Sequence, residues 1–323
     1  MATPLDPVFR SYDSKQAATY SQNRGSSYAP RIIQQVISYH TAHGGQFGTV
    51  LDAGCGTGKA TRNLAPYFDR AVGCDAGREM IAQATQAGGE SKDGSAIGYE
   101  VLDAEKLDRS TMLRPGSVDL LTAAMAAHWF HMQDFWQQAA RMVRPGGTVA
   151  IWTLSSLYCH PATPNAEAVQ RALSRLEDDF LGPYELPQNR LSRGMYKDLP
   201  LPWTLDESTA AAFPKELSLR LEWNRDGHLE PGEDDFFSGS DPVSLERLMG
   251  ALGTSSMITR WREAHPQLVG TEGDCVVTTM RAVAEAMGVD IEDPKSLSQT
   301  MIRAGTATIL LLFTRADTSD ARE

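Results

Sequence analysis

Three glycines alternate at Gly54, Gly56 and Gly58, and an aspartate, Asp52, stands two residues before the first. The apolar run ending at Ala53 precedes them and a helix-like stretch follows. Glycine reaches backbone angles closed to other residues and lets a ligand approach the main chain. A strand that turns through such a loop into a helix presents unpaired backbone N–H groups to whatever binds there. Asp75 closes the next apolar run, Ala71, Val72, Gly73 and Cys74. A carboxylate in that place suits a pair of ribose hydroxyls. The chemistry indicated is recognition of a nucleoside-containing cofactor.

Charge narrows the cofactor. Dinucleotide sites use G-x-G-x-x-G, whereas this loop reads G-x-G-x-G, and no Gly-Lys-Ser or Gly-Lys-Thr follows to make a phosphate loop. A buried Asp52 facing a pyrophosphate would repel it. Facing the ammonium of S-adenosylmethionine, it would attract it. The bland alternative is a glycine turn in an ordinary α/β protein.

Five segments in order resemble class I S-adenosylmethionine-dependent methyltransferases: VLDAGCGTG (50–58), GCDAGREMI (73–81), VLDAEKL (101–107), VDLLTAAMAAHWFH (118–131) and MVRPGGTVAIWT (142–153). The resemblance covers roughly residues 20–155. It implies that Asp52, Gly54, Gly56 and Gly58 bind the cofactor, that Asp75 with Ala76 meets the ribose, and that Met80 packs near the adenine. It further implies that Asp103 accepts from the adenine amino group, with the backbone of Ala104 at the ring edge and Ala124 closing the fourth strand. Ala127, His128, Trp129 and Phe130 are similar to the fungal trans-aconitate methyltransferase type, as is WREAHP (261–266). That group carries a Tyr and Arg-Pro-Ser-Tyr-Pro segment before the first motif. This chain has Tyr20, Arg24, Gly25, Ser26, Ser27 and Tyr28, one residue longer and with Gly25 in place of proline. Tyr20, Arg24 and Tyr28 are expected to close over the methionine end.

Methyl transfer asks a protein chiefly to align its reactants and exclude water. A carboxylate acceptor needs no base, whereas a phenol, amine or carbon acceptor benefits from one near neutral pKa. His128 is the candidate base, and the alternative is that it only shapes the pocket floor. His131 reads as structural, and Trp129, Phe130 and Trp136 read as pocket lining or core. Arg260 and Arg262, flanking Trp261, are the first candidates for an anion clamp on the substrate, with Arg190 and Arg193 next. The remaining histidines, His40, His43, His160, His228 and His265, read as loop or surface residues.

These residues need a scaffold. Alternating apolar and helical stretches predict strands at 48–53, 71–75, 97–101, 118–124 and 147–154, with helices at 28–43, 58–66, 77–87 and 131–142. The implied class is α/β, a doubly wound, seven-stranded, mostly parallel Rossmann-like sheet. Strands at 216–223 and 306–314 complete it, and the resemblance implies that the last is antiparallel. Residues 1–47 form a polar, partly flexible lead-in, a lid and a helix. Residues 48–155 form the cofactor core, and 156–323 add a mainly helical cap to the last two strands. Helices are expected at 164–181, 242–262 and 274–288. Along 216–223, Leu217, Leu219, Leu221 and Trp223 are expected on one buried face.

The chain has 323 residues, a formal charge of −11 and four scattered cysteines without C-x-x-C spacing. The charge disfavours nucleic acid, and the cysteines suggest a reducing, cytoplasmic setting with no metal site. Residues 1–6 do not read as a secretory signal, and the longest apolar stretch, 309–313, is too short for a membrane span. The partner is a small-molecule substrate, and the oligomeric state stays open. The main reading is a small-molecule methyltransferase acting on oxygen of a carboxylic acid or secondary metabolite. The competing reading is a cofactor-binding protein without transfer, a rearrangement catalyst or assembly subunit. Methylation of protein or nucleic acid is weaker, because Ala124, Met125, Ala126 and Ala127 stand where Asn-Pro-Pro-Tyr would be.

Overall fold

The computed structural model describes residues 10–24, 28–239 and 241–317. Gly25, Ser26, Ser27 and residues 1–6 of the sequence reading lie outside them. Seven strands make one sheet: β1 Thr49–Ala53, β2 Arg70–Asp75, β3 Gly98–Val101, β4 Val118–Ala124, β5 Val143–Cys159, β6 Ser218–Trp223 and β7 Ala304–Thr314. Their order is β3-β2-β1-β4-β5-β7-β6. β1 to β5 pair in parallel, and β7 lies antiparallel between β5 and β6. The order reverses between β1 and β4, where open α/β sheets bind ligands at the carboxyl ends of their strands.

Alternation along the strands divides the sheet core in two. Leu51, Leu121, Val149, Ile151, Leu311 and Phe313 face α5 (Met132–Met142) and its Phe135 and Trp136. Val50, Leu120, Ala150, Trp152, Leu310 and Leu312 face α2 (Pro30–Ala42) through Ile32, Ile33 and Val36. A third core, separate from the sheet, holds the cap together. In it Val169 and Leu173 of α6 (Ala166–Arg175) meet Leu245 and Leu248 of α9 (Leu245–Leu252) and Val276, Met280 and Val283 of α11 (Cys275–Ala286).

Several expectations need correction. The lead-in is ordered over α1 (Ser14–Asn23), which Asp13 and Gln16 cap reciprocally at 2.8 and 2.9 Å. Tyr12 and Ala17 are buried there against Met80 of α4 (Arg78–Ala87). The stretch 242–262 is two helices, α9 and α10 (Ser256–Ala264), because the chain turns at Gly253, Thr254 and Ser255 between them. The helical stretch 164–181 ends as a π-helical turn over Leu176–Leu181. Leu217 and Leu219 are exposed, because β6 is the sheet edge, whereas Leu221 and Trp223 pack against the α2 side. His40 is buried in α2, bonded to Thr148 Oγ1 and the Gln46 carbonyl, and His160 is buried with Nε2 on the Asp234 carbonyl. Among the described residues no helix is long and apolar enough to cross a membrane, and no group of three or more His, Cys, Asp or Glu could hold a metal.

Gly305 lies under Phe236, whose side-chain atoms would stand 2.4–2.6 Å from an added Cβ. Phe236 is itself buried. Gly305→Ala is therefore expected to lower stability by about 1–3 kcal/mol, as overpacking does. Urea unfolding checks this, and an unchanged midpoint would mean that Phe236 has room to shift.

Candidate active site

A cavity of about 480 Å³ opens where the sheet order reverses, with strand ends for its floor and the cap for its roof. The loop after β1 carries Gly54 at φ 67°, Gly56 at 54° and Gly58 at 78°, all left-handed. The three glycines serve different ends. A Cβ on Gly54 would stand 2.6 Å from Ala126 Cβ, and one on Gly58 would stand 2.5 Å from the Tyr99 hydroxyl, so both permit close packing. A Cβ on Gly56 would meet nothing nearer than Met80 Cε at 4.0 Å. Its bare main chain borders the cavity, so a ligand can approach it there.

Asp75, at the end of β2, fixes that loop. Its Oδ2 accepts from Gly56 N–H at 2.9 Å and its Oδ1 from Gly77 N–H at 2.7 Å. Each carboxylate oxygen keeps a second lone pair for ligand hydroxyls. Burial raises its pKa, while the two backbone donors oppose that rise. The cavity edge also carries a cationic corner. Lys59 Nζ lies 4.3 Å over the Tyr28 ring and donates to the Arg24 carbonyl at 3.1 Å. Burial, then repulsion from Arg24 and Arg247, lowers its pKa to about 8. Arg24 Nε donates to Thr254 Oγ1 at 2.7 Å, which fastens the end of α1 to the cap.

Of the residues singled out from sequence, Tyr20, Arg24, Tyr28, Gly54, Gly56, Asp75, Ala76, Met80, Ala104, Ala124, His128 and Trp129 line this one cavity. Five others do not. Asp52 is fully buried between β1, β4 and α3 (Lys59–Leu64), accepting from Thr61 Oγ1 at 2.7 Å and Thr122 Oγ1 at 2.8 Å. The parallel register sets Asp52 beside Thr122, and its carboxylate does not border the cavity. The repulsion argument against a pyrophosphate therefore loses its basis. Gly58 sits behind the loop under Tyr99. Asp103 is neutralised by Arg10 at 2.9 Å and Lys106 at 2.7 Å. Arg262 pairs with the buried Asp274 at 3.0 Å, and Arg260 donates to the Tyr184 carbonyl at 2.9 Å and to Asn189 Oδ1 at 2.6 Å. Both arginines hold the cap together and neither lines the cavity. Trp136 is core, with its indole N–H on the Pro200 carbonyl.

His128 is buried, and its Nδ1 lies 2.8 Å from the Tyr196 hydroxyl. Burial pushes its pKa down to about 3. The ring is neutral at physiological pH, and a group so weakly basic is a poor general base. Sequence reasoning missed the acceptor side of the cavity, lined by Glu177, Asn189, Ser192 and Met257, and it ranked Arg193 behind Arg260 and Arg262. Arg193 is held by Glu185 at 2.9 Å and Glu177 at 3.5 Å. Lys59 carried a weak signal, the cation directly after the glycine loop. The others carried none, because they come together only when the cap folds over the sheet.

Residues 51–151 match the protein family described as Methyltransferase domain. The chain is similar to the probable S-adenosylmethionine-dependent methyltransferase CRG1 of Saccharomyces cerevisiae, 31% identical over 42% of this chain and 45% of that one. It is also similar to methyltransferase AacuQ of Aspergillus aculeatus, 33% identical over 46% of this chain and 48% of that one. The matching stretch thus spans about half the length of these relatives. Among solved structures, a provisionally named type II methyltransferase of Anaeromyxobacter dehalogenans aligns over 90% of this chain and 97% of its own, with 25% identity and a TM-score of 0.58. The chain carries a class I S-adenosylmethionine-dependent methyltransferase domain on a Rossmann-like methyltransferase fold, and S-adenosylmethionine is the cofactor of that class. The bare main chain at Gly56 and the spare lone pairs of Asp75 fit it.

Burial raises the Asp52 pKa to about 6 from an ordinary 3.8, against the opposing threonine hydrogen bonds. Between those values the folded protein holds a proton that the unfolded chain has released. Stability from this group is therefore present at low pH and lost as pH rises to about 6. Asp52→Asn lacks this dependence while keeping a donor and an acceptor for the threonines. Wild type is expected to lose about 2 kcal/mol relative to the variant between pH 4.5 and 7, at 1.36 kcal/mol per unit of pKa shift. Parallel stability curves for the two proteins, from denaturant titrations, would reject this.

Proposed function

We propose that the chain is an S-adenosylmethionine-dependent methyltransferase that transfers a methyl group to oxygen of a small molecule, a carboxylic acid or a secondary metabolite. The observation that carries the reading is a single cavity lined by two unlike groups of residues. The first is the Gly56 main chain, Asp75 and the Lys59–Arg24 corner. The second is Trp129, Phe130, Met257 and His128. Bound at the first group, the cofactor supplies an electrophilic methyl group. In this reading Asp75 accepts from the ribose, Lys59 and Arg24 balance the methionine carboxylate, Ala104 borders the adenine, and Tyr20 and Tyr28 shield the methionine end. The apolar wall excludes water and orients the acceptor.

The trans-aconitate methyltransferase type fits within this proposal less well than a monoacid or phenol. Among the described lining residues of the acceptor side, Arg193 is the cation, and Glu177 and Glu185 already pair with it. A polycarboxylate finds no free clamp there. The proposal includes a lid over residues 1–47, a cofactor core over 48–155 and a substrate-selecting cap with the last strands over 156–323. It also includes a cytoplasmic setting, supported by four cysteines that are all free. A place in secondary metabolism is part of the same proposal.

The test is incubation with methyl-labelled S-adenosylmethionine and a panel of monoacids, polycarboxylates and phenols, scored for label in product. Cofactor bound by calorimetry with label in no acceptor would favour a binding protein without transfer. Lys59→Met is expected to weaken S-adenosylhomocysteine about tenfold, the loss of one charge-assisted contact. Unchanged affinity would remove Lys59 from the cofactor site. Tyr20→Phe is expected to reduce turnover with the fold intact by circular dichroism, and full activity in that variant would remove the lid role.

A further inference from the structure

His128 borders the cavity, whereas Tyr196, bonded to its Nδ1, is fully buried behind it. The opposite ring nitrogen, Nε2, is therefore the one turned towards the cavity. Which nitrogen carries the proton follows from the Tyr196 hydroxyl. A phenol is the better donor and an unprotonated imidazole nitrogen the better acceptor. Among the described residues, Nδ1 is the hydrogen-bond partner of the Tyr196 hydroxyl, so the phenol proton is directed to it. Thr153 Oγ1 lies 2.6 Å from Ser192 Oγ, and Ser192 also borders the cavity.

The backbone around this pair is strained. Met195 at φ 52° and Tyr196 at φ 55° are consecutive non-glycine residues in the left-handed region, and Met125 at φ 56° is a third. Each is disfavoured and persists only where its surroundings hold it. Arg220 of β6 supplies the hold, donating to the Met195 carbonyl at 2.7 Å and the Tyr196 carbonyl at 3.4 Å. Met125 is fastened by Leu154 N–H on its sulfur at 2.9 Å.

We propose that Tyr196 is a positioning residue that locks His128 in its Nε2–H tautomer, so that His128 donates a hydrogen bond to an oxyanion or carbonyl oxygen of the methyl acceptor and does not take the acceptor's proton. This rests on the cavity's acceptor end being the one assigned above. It favours acceptors whose oxygen is already ionised or conjugated to a carbonyl, such as carboxylates, enolates and acidic phenols. Neutral aliphatic alcohols would need their proton removed.

Nitrogen NMR of the full chain labelled in its histidine rings tests the tautomer at neutral pH without any acceptor. The His128 signals are assigned by their absence in His128→Gln. The expected result is a protonated Nε2 and an unprotonated Nδ1, with the single tautomer lost in Tyr196→Phe. A protonated Nδ1 in wild type overturns the proposal, as does a tautomer unaffected in a folded Tyr196→Phe. Should that variant fail to fold, the wild-type spectrum decides. With the acceptor found by label transfer, His128→Leu is expected to lower kcat about 100-fold, the scale for losing one donor to a developing or existing oxyanion. His128→Gln keeps a terminal N–H without a basic nitrogen and is expected to retain more than a tenth of wild-type kcat. Equal loss in both variants overturns the donor role. S-adenosylhomocysteine titration is scored separately: absent binding sinks the cofactor assignment and leaves the tautomer result standing.

Discussion

The carboxylate of Asp52, enclosed by the hydroxyls of Thr61 and Thr122, is the contact on which the rest of the site depends. It joins β1, β4 and α3 where the sheet order reverses. Buried charge is costly unless it is hydrogen-bonded, so the three elements are held at one spacing. That spacing sets the bend from Gly54 to Gly58, and the bend brings Gly56 N–H onto Asp75. Two acidic residues thus divide the work. Asp52 braces the loop from behind, and Asp75 braces it from the side while remaining at the cavity wall.

The cap makes the site specific. Its own apolar core is separate from the two cores of the sheet, so the roof can be shaped without disturbing the floor. Attachment is both apolar and polar: Met195 and Leu199 join the core on the α5 side, Cys159 of β5 joins the cap core, Arg24 bonds Thr254, and Thr153 bonds Ser192. The arginines that looked free for substrate are used inside the cap, where Arg262 pairs with the buried Asp274 and Arg260 donates to the buried Asn189. On the cap side of the cavity Glu177, Asn189 and Ser192 are polar, and Arg193 is already paired. That side suits an acceptor held by shape and by a few hydrogen bonds.

The cofactor end was largely legible. Strand, glycine bend and helix follow one another in a short stretch, and so do β2 and Asp75. Short-range backbone preferences and hydrophobic alternation fix such units wherever they occur. Where the reading failed there, it failed on direction. Asp52 and Asp103 were placed correctly along the chain, but side-chain orientation depends on Thr122, Arg10 and other neighbours distant in sequence. The exposed faces of Leu217 and Leu219 were misjudged for a related reason, because alternation cannot tell an edge strand from a covered one.

The sequence by itself determined the α/β class, the order of the sheet strands and the glycine loop with Asp75 that borders the cavity, because each is encoded in contiguous stretches whose chemistry is local. Only the tertiary structure decided which arginines were already paired, how far burial weakens His128 as a base, and that Tyr196 meets His128 Nδ1 behind the cavity. Those outcomes depend on desolvation and on partners many residues away. Neither exists until the cap has closed over the strand ends.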